Sequence, residues 1–163
     1  VTSPHINVLR AVDATGVNVA IHDHELFESP IRSPQDFADA LGYQLSRITK
    51  AVFLRSKSSG HYAVAVCAMD RKLDFAAIAD GLHQSTRMEV ASAEELDRVV
   101  GYPKNGVSPL GLPSDVAVVV DEALLAESTV LIGGGAAGVE LELAPADLVW
   151  ASGARVAQIG VTS

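Results

Sequence analysis

The chain has 163 residues, 48% of them hydrophobic and 20% charged, a composition that suits one compact domain with a sizeable core and not a disordered segment. Twelve Lys and Arg stand against 20 Asp and Glu, a formal net charge of -8, which argues against a protein that coats duplex DNA but leaves room for gripping one nucleic-acid end. A single cysteine, Cys67, permits no internal disulfide and no cysteine metal site; with no leader pattern at the start and no apolar run near the roughly 20 residues that span a bilayer, the expectation is a cytoplasmic protein without membrane attachment.

Taken in chain order, Thr2 or Ser3 is expected to cap a first helix, with Pro4 in its first turn, Ile6, Leu9 and Val12 as its apolar stripe and Gly16 as its stop. Residues 17–23 (VNVAIHD) are strand-like. Ser33-Pro34 opens a short second helix through Phe37, Ala38 and Leu41 that ends at Gly42. Residues 48–55 (ITKAVFLR) and 62–68 (YAVAVCA) are β-rich runs separated by KSSGH, a Ser-Gly turn signal, and are expected to form an antiparallel hairpin with Lys50 on its first strand. Leu73 to Leu82 has helical spacing, and Ser92 with Glu95 forms a capping-box signature for another surface helix. The stretch 101–114 (GYPKNGVSPLGLPS) is too broken by proline and glycine for a regular element. Strands are expected at 116–120, 129–133, 139–143 and 155–160, with a short helix over 144–152. The order is mixed α/β, and no repeat or linker divides the single domain expected over 1–163.

Several motifs invite chemistry. GGGAAG (133–138) matches a dinucleotide fingerprint at Gly133, Gly135 and Gly138, yet VELEL after it alternates like a strand where the fingerprint needs a helix facing the pyrophosphate. A glycine-rich strand connection is the better reading, one that still permits close backbone approach by a ligand. In Gly106-Val-Ser108-Pro-Leu-Gly111, Ser108 stands among glycines, but the residue after a serine nucleophile normally donates its amide to the oxyanion, and Pro109 has none. That leaves a turn loop or a substrate cradle. His22 and His24 alternate along a strand and share a face; His5, His61 and His83 show no ligand spacing, so no metal is expected. Cys67 reads as a small core residue. From Gln44 to His61 there is no acid, while Arg47, Lys50, Arg55 and Lys57 all occur. An anionic partner fits this basic island, against the alternative of an ordinary exposed strand lysine with solubilising neighbours.

The lysine strand ITKAVFLR, the passage VAVCAMDRKLDFAAIADGL, the loop GYPKNGVSPLGLP and the segment GGGAAGVELELAPADLVWASGA, in this order, resemble the YbaK/ProX family of aminoacyl-tRNA deacylases, related to the insertion domain of bacterial prolyl-tRNA synthetases. The likeness covers nearly the whole chain. It implies an α/β fold with a mixed, barrel-like central sheet surrounded by short helices, and a pocket between the lysine strand and the Gly-Val-Ser-Pro loop. It implies a trans-editing hydrolase whose substrate is the ester joining an amino acid to the 3' end of tRNA, as in Cys- or Ala-tRNA(Pro) or in Ser- or Thr-tRNA. Lys50 matches the family's functional lysine, which holds the substrate at its terminal phosphate or through the aminoacyl carbonyl. Gly106, Val107, Ser108, Pro109, Leu110 and Gly111 match the loop that closes the pocket, with Gly134, Gly135 and His24 expected at its border. The resemblance calls for no cofactor and admits an aminoacyl-tRNA synthetase as a further partner. Asn105 stands where relatives often carry another glycine, and GGGAAG lacks a histidine found there in some alanine-specific members. The alternative from another class is a non-catalytic module that binds aminoacyl-tRNA or a synthetase.

Overall fold

Three sheets organise the chain, and in β3, β7 and β8 the alternation or continuity of apolar residues matches the number of faces that are covered. The computed structural model describes residues 2–58 and 60–162. In chain order the elements are α1 (Ile6–Thr15), β1 (Ala20–Asp23), α2 (Pro34–Leu41), β2 (Thr49–Ser56), β3 (Tyr62–Ala68), β4 (Arg71–Leu73), α3 (Phe75–Gly81), β5 (Met88–Val90), α4 (Ala93–Val99), β6 (Ala117–Asp121), β7 (Val130–Gly133), β8 (Val139–Leu143), α5 (Pro145–Ser152), β9 (Arg155–Ala157) and β10 (Gly160–Thr162). A five-stranded sheet runs β5-β2-β3-β6-β9, a three-stranded sheet β1-β8-β7, and a pair β10-β4. Within the first, β5-β2-β3 pair antiparallel while β3-β6 and β6-β9 pair parallel.

The layers follow from the side chains. One face of the five-stranded sheet, with Phe53, Val64, Val66, Val118 and Val120, packs against Val130, Ile132, Leu141 and Leu143 of the three-stranded sheet to form the main core. Its other face, with Leu54, Ala65 and Val119, is covered by Ile78 and Ala79 of α3 and by Ile159. On the far side of the three-stranded sheet, Leu131 meets Phe37 and Ala38 of α2. Strands β3 and β7, and β6 over Val118–Val120, are buried on both faces and so are continuously apolar. Strand β8 alternates buried Val139, Leu141 and Leu143 with half-buried Glu140 and Glu142. Full burial of each such Leu or Val contributes about 1.5–3 kcal/mol.

The α/β class and the mixed sheet are as expected, but the strands do not close into a barrel. The five-stranded sheet ends on β5 and β9, the three-stranded one on β1 and β7, and a single parallel bridge, Ile48 to Leu131, joins them. Helix α1 is capped by His5, whose Nδ1 accepts the Asn7 amide at 3.0 Å, and not by Thr2 or Ser3. Its buried stripe is Val8 with Ala11 and Val12, and Ile6 is 53% exposed. The strand expected over 155–160 is two strands in different sheets. Asp121 makes the break, because its Oδ1 accepts the amides of Ile159 and Gly160, each at 3.1 Å, and turns the chain from β6 to β4. The short strands β4 and β5 carry too little periodicity to be expected from sequence. The antiparallel hairpin expected from 48–55 and 62–68 forms, with Thr49 opposite Ala68 and Arg55 opposite Tyr62; Ser59 of its turn signal lies outside the described residues.

Candidate functional site

A cavity of about 440 Å³ opens where the first residues of β2 meet the loop before α2, the 104–107 turn and the two ends of the 133–138 loop. The strand is placed there by its pairing with β3, which sets Lys50 opposite Cys67. The two glycine-containing loops are placed by each other. A side chain at Gly133 would put its Cβ 2.1 Å from the Val107 carbonyl oxygen, and one at Gly106 would put it 2.6 Å from the Ala136 carbonyl carbon. Close backbone approach is therefore what these glycines permit, but the approaching group is the chain's own other loop.

Behind this wall the remaining loop residues form a scaffold. Ser108 is fully buried, and its Oγ accepts the Leu110 amide at 3.1 Å. The Tyr102 hydroxyl donates to the Leu110 carbonyl at 2.6 Å, and burial pushes its pKa up to about 12. Gly134 is tied to Val139 and His5 through its amide and carbonyl (3.0 and 2.9 Å). Gly135 adopts a φ of +80° with His5, Tyr102 and Val8 against it, and Gly111 lies on the Asn7 backbone. Of the residues singled out from sequence, Lys50, His24, Gly106 and Val107 come together on the cavity wall. Ser108, Pro109, Leu110, Gly111, Gly134 and Gly135 do not line it; they hold the wall in place. Gly133 and Gly138, rather than Gly134 and Gly135, are the glycines that reach it.

The charges are arranged differently from their order in sequence. Arg47 stacks on the Tyr43 ring with its guanidinium carbon 3.6 Å from the centroid and pairs with Glu142 at 3.3 Å. Arg55 pairs with Glu89 at 2.8 Å and Glu95 at 3.6 Å. The basicity of the acid-free segment is thus halved in space, because acids from β5, α4 and β8 pair with two of its four cations. Lys50 differs: its ammonium donates to the Arg71 carbonyl, a neutral acceptor. The cavity gains two further cations, Arg32 from the loop before α2 and Lys104 from the proline-glycine loop. Its carboxylate is Glu140, bonded to His24 Nε2 at 2.7 Å. Sequence reasoning missed Arg32, Lys104 and Glu140. The usable signal for Glu140 was the period-two alternation of VELEL opposite that of His22 and His24, which puts two acids beside two imidazoles.

Next to Glu140 on the same face, Glu142 accepts from Thr129, from Tyr43 at 2.8 Å and from His22 at 2.9 Å. Burial alone would raise its pKa, but the Thr129, Tyr43 and His22 hydrogen bonds prevail and hold the carboxyl below its ordinary value. Cys67, beside Lys50, is pushed up to about 11 by burial, which outweighs the nearby cations. A thiol so raised is no nucleophile at neutral pH. Among the described residues no group of three or more His, Cys, Asp or Glu is placed to hold a metal ion, and no helix is long and apolar enough to cross a membrane.

Comparison with known proteins supplies an independent view of the same chain. The family model for the aminoacyl-tRNA editing domain matches residues 28–150. A protein of Enterococcus faecalis, EbsC, provisionally named a Cys-tRNA(Pro)/Cys-tRNA(Cys) deacylase, is 24% identical over 97% of this chain and 94% of its own length. The prolyl-tRNA editing protein ProX of Acetoanaerobium sticklandii is 26% identical over 77% of this chain and 76% of its own. Among solved structures, that of the hypothetical protein APE2540 superposes with a TM-score of 0.82 at 29% identity, covering 95% of this chain and 99% of that one.

Proposed function

The chain belongs to the aminoacyl-tRNA editing domain family, and we propose that it deacylates mischarged aminoacyl-tRNA, hydrolysing the ester between an amino acid and the 3'-terminal ribose. The observation that carries this reading is Lys50, a cation on the cavity wall that donates to a backbone carbonyl and forms no ion pair among the described residues, sharing that cavity with the 104–107 turn. An aminoacyl ester is already activated, so its hydrolysis asks for carbonyl polarisation and a positioned water more than for a strong nucleophile.

Lys50 polarises the ester carbonyl and stabilises the oxyanion as water adds to the carbonyl carbon. The amides of the wall divide clearly. That of Gly106 is spent on the Pro103 carbonyl and, behind the wall, those of Leu110 and Gly134 on Ser108 and Val139, which leaves Lys104, Asn105 and Val107 as the cavity-lining residues of that turn with amides to offer. As the carbon-oxygen bond to ribose breaks, the ribose oxygen takes a proton from the attacking water, relayed by the vicinal hydroxyl of the same sugar, and the free amino acid departs. Ile31, Phe37, Ile48 and Met69 make an apolar compartment suited to a small side chain, with Cys or Ala on tRNA(Pro) and Ser or Thr on their tRNAs as the candidates. The volume is in the range of small-molecule sites.

The experiment is a panel: tRNA(Pro) charged with Cys or Ala, and Ser- and Thr-tRNA, each incubated with the purified protein. At least one ester should disappear well above its spontaneous rate. Binding of charged tRNA with no ester lost would instead identify a non-catalytic binding module.

A further inference from the structure

We infer that Arg32 and Lys104 form a phosphate clamp at the mouth of the cavity, gripping the 5' phosphate of the terminal tRNA nucleotide and leaving Lys50 to the ester carbonyl. The inference rests on the deacylase reading and deepens it by assigning the phosphate to residues outside the basic island. Both residues line the same cavity from different loops, and both are exposed. Neither forms an ion pair among the described residues, although Arg47 and Arg55 do. Of the two carboxylates four residues from Arg32, Glu28 and Asp36, Asp36 spends Oδ2 on the Arg32 amide at 3.0 Å, fixing the loop. In a chain of net charge -8, two unneutralised cations on two lips of one pocket make a local anion site against the overall field.

The ligand chemistry follows from what the pocket holds. An ester carbonyl at Lys50 brings its ribose to the cavity entrance, and the nearest anion on a tRNA end is the phosphodiester on that same nucleotide. A guanidinium offers a planar fork to phosphate oxygens and an ammonium offers a point charge, both at low desolvation cost on an exposed rim. The clamp would make the enzyme prefer an ester borne by a nucleotide chain to the same ester on a bare nucleoside.

The test compares wild type with the double variant Arg32→Gln/Lys104→Gln on two substrates: aminoacyl-tRNA that the wild type deacylates, and the same amino acid esterified to adenosine, which has no phosphate. The variant should raise KM for the tRNA about tenfold or more with kcat held within about twofold, and the slope of log(kcat/KM) against log salt should fall by about 0.7–1.4. On the adenosine ester the gap between wild type and variant should close. Equal losses on both substrates, or none on either, overturns the clamp. A second measurement does not depend on turnover: an uncharged, fluorescently labelled CCA trinucleotide should bind the wild type and bind the variant about tenfold more weakly. Absence of wild-type binding, or equal binding by the two, overturns the clamp whatever the deacylation panel shows, whereas loss of no ester in that panel sinks the deacylase reading alone.

Discussion

Arg47 and Lys50 stand three residues apart in one acid-free segment, yet the fold gives them opposite fates. Arg47 leaves the turn before β2 on the α2 side, where it lies against the Tyr43 ring and meets Glu142, 95 residues further along. Lys50 lies on β2 opposite Cys67 and ends on a carbonyl. One cation is consumed in holding the three-stranded sheet to the turn at 45–47; the other keeps its charge at a cavity. The proposed function assigns chemistry to cations that form no ion pair among the described residues, and local sequence composition does not report which those are.

The sharpest way to break that contrast is to remove each cation in turn. Lys50→Ala should lower deacylation kcat by about 100-fold or more, the scale of losing one charge-stabilising donor, with the thermal midpoint nearly unchanged. Arg47→Ala should do the reverse. It strips one partner from a half-buried network, costing about 1–3 kcal/mol, or roughly 2–10 °C in thermal midpoint for a chain of this size, while kcat per folded molecule stays near wild type. Circular dichroism melts and single-turnover deacylation on the same preparations decide it. A Lys50→Ala protein with full activity would dismantle the proposed mechanism.

Next in size is the pH dependence of the Arg47 side. Glu142 titrates below its ordinary value of 4.5 in the folded chain. Its contribution to stability is therefore fully present above about 4.5, the unfolded value, and lost as pH falls through the folded one. Glu142→Gln should melt lower than wild type at neutral pH, and the difference should shrink as pH drops below about 4. A difference that stays constant with pH would mean that Glu142 packs there without its charge mattering.

The same contrast explains how much of the molecule could be read from its sequence. Helix α2, the β2-β3 hairpin and the α4 capping box are specified by neighbours within a few residues, through Ser33 with Asp36, the two β-rich runs, and Ser92 with Glu95. The three-residue strands β4 and β5, and the break between β9 and β10, depend on edge pairing and on Asp121, nearly 40 residues from the turn it makes. Of the cavity wall, Lys50, His24, Gly106 and Val107 were legible. The basic island was legible only in part, because the acids that pair with Arg47 and Arg55 arrive from distant strands and a helix. The glycines of 133–138 were legible as a close approach but not as an approach to Val107, since spacing along a chain carries no information about which backbone will face it.

The smallest effect is expected at Arg55, and it tests whether neutralisation alone or burial as well separates the two classes of cation. Arg55 has two carboxylate partners, more than any other cation among the described residues, but its side chain is 46% exposed. Its raised pKa comes first from the Glu89 hydrogen bond, and so exposed a pair is screened by water and salt and offset by side-chain entropy. Arg55→Ala should leave both the thermal midpoint and deacylation within experimental scatter of wild type, unlike Arg47→Ala. A loss of stability comparable to that of Arg47→Ala would mean that ion-pair number, not burial, governs these sites, and the contrast drawn between Arg47 and Lys50 would then rest on pairing alone. A loss of activity without loss of stability would place Arg55 on the tRNA path and extend the binding surface from the cavity mouth along β2 toward β5.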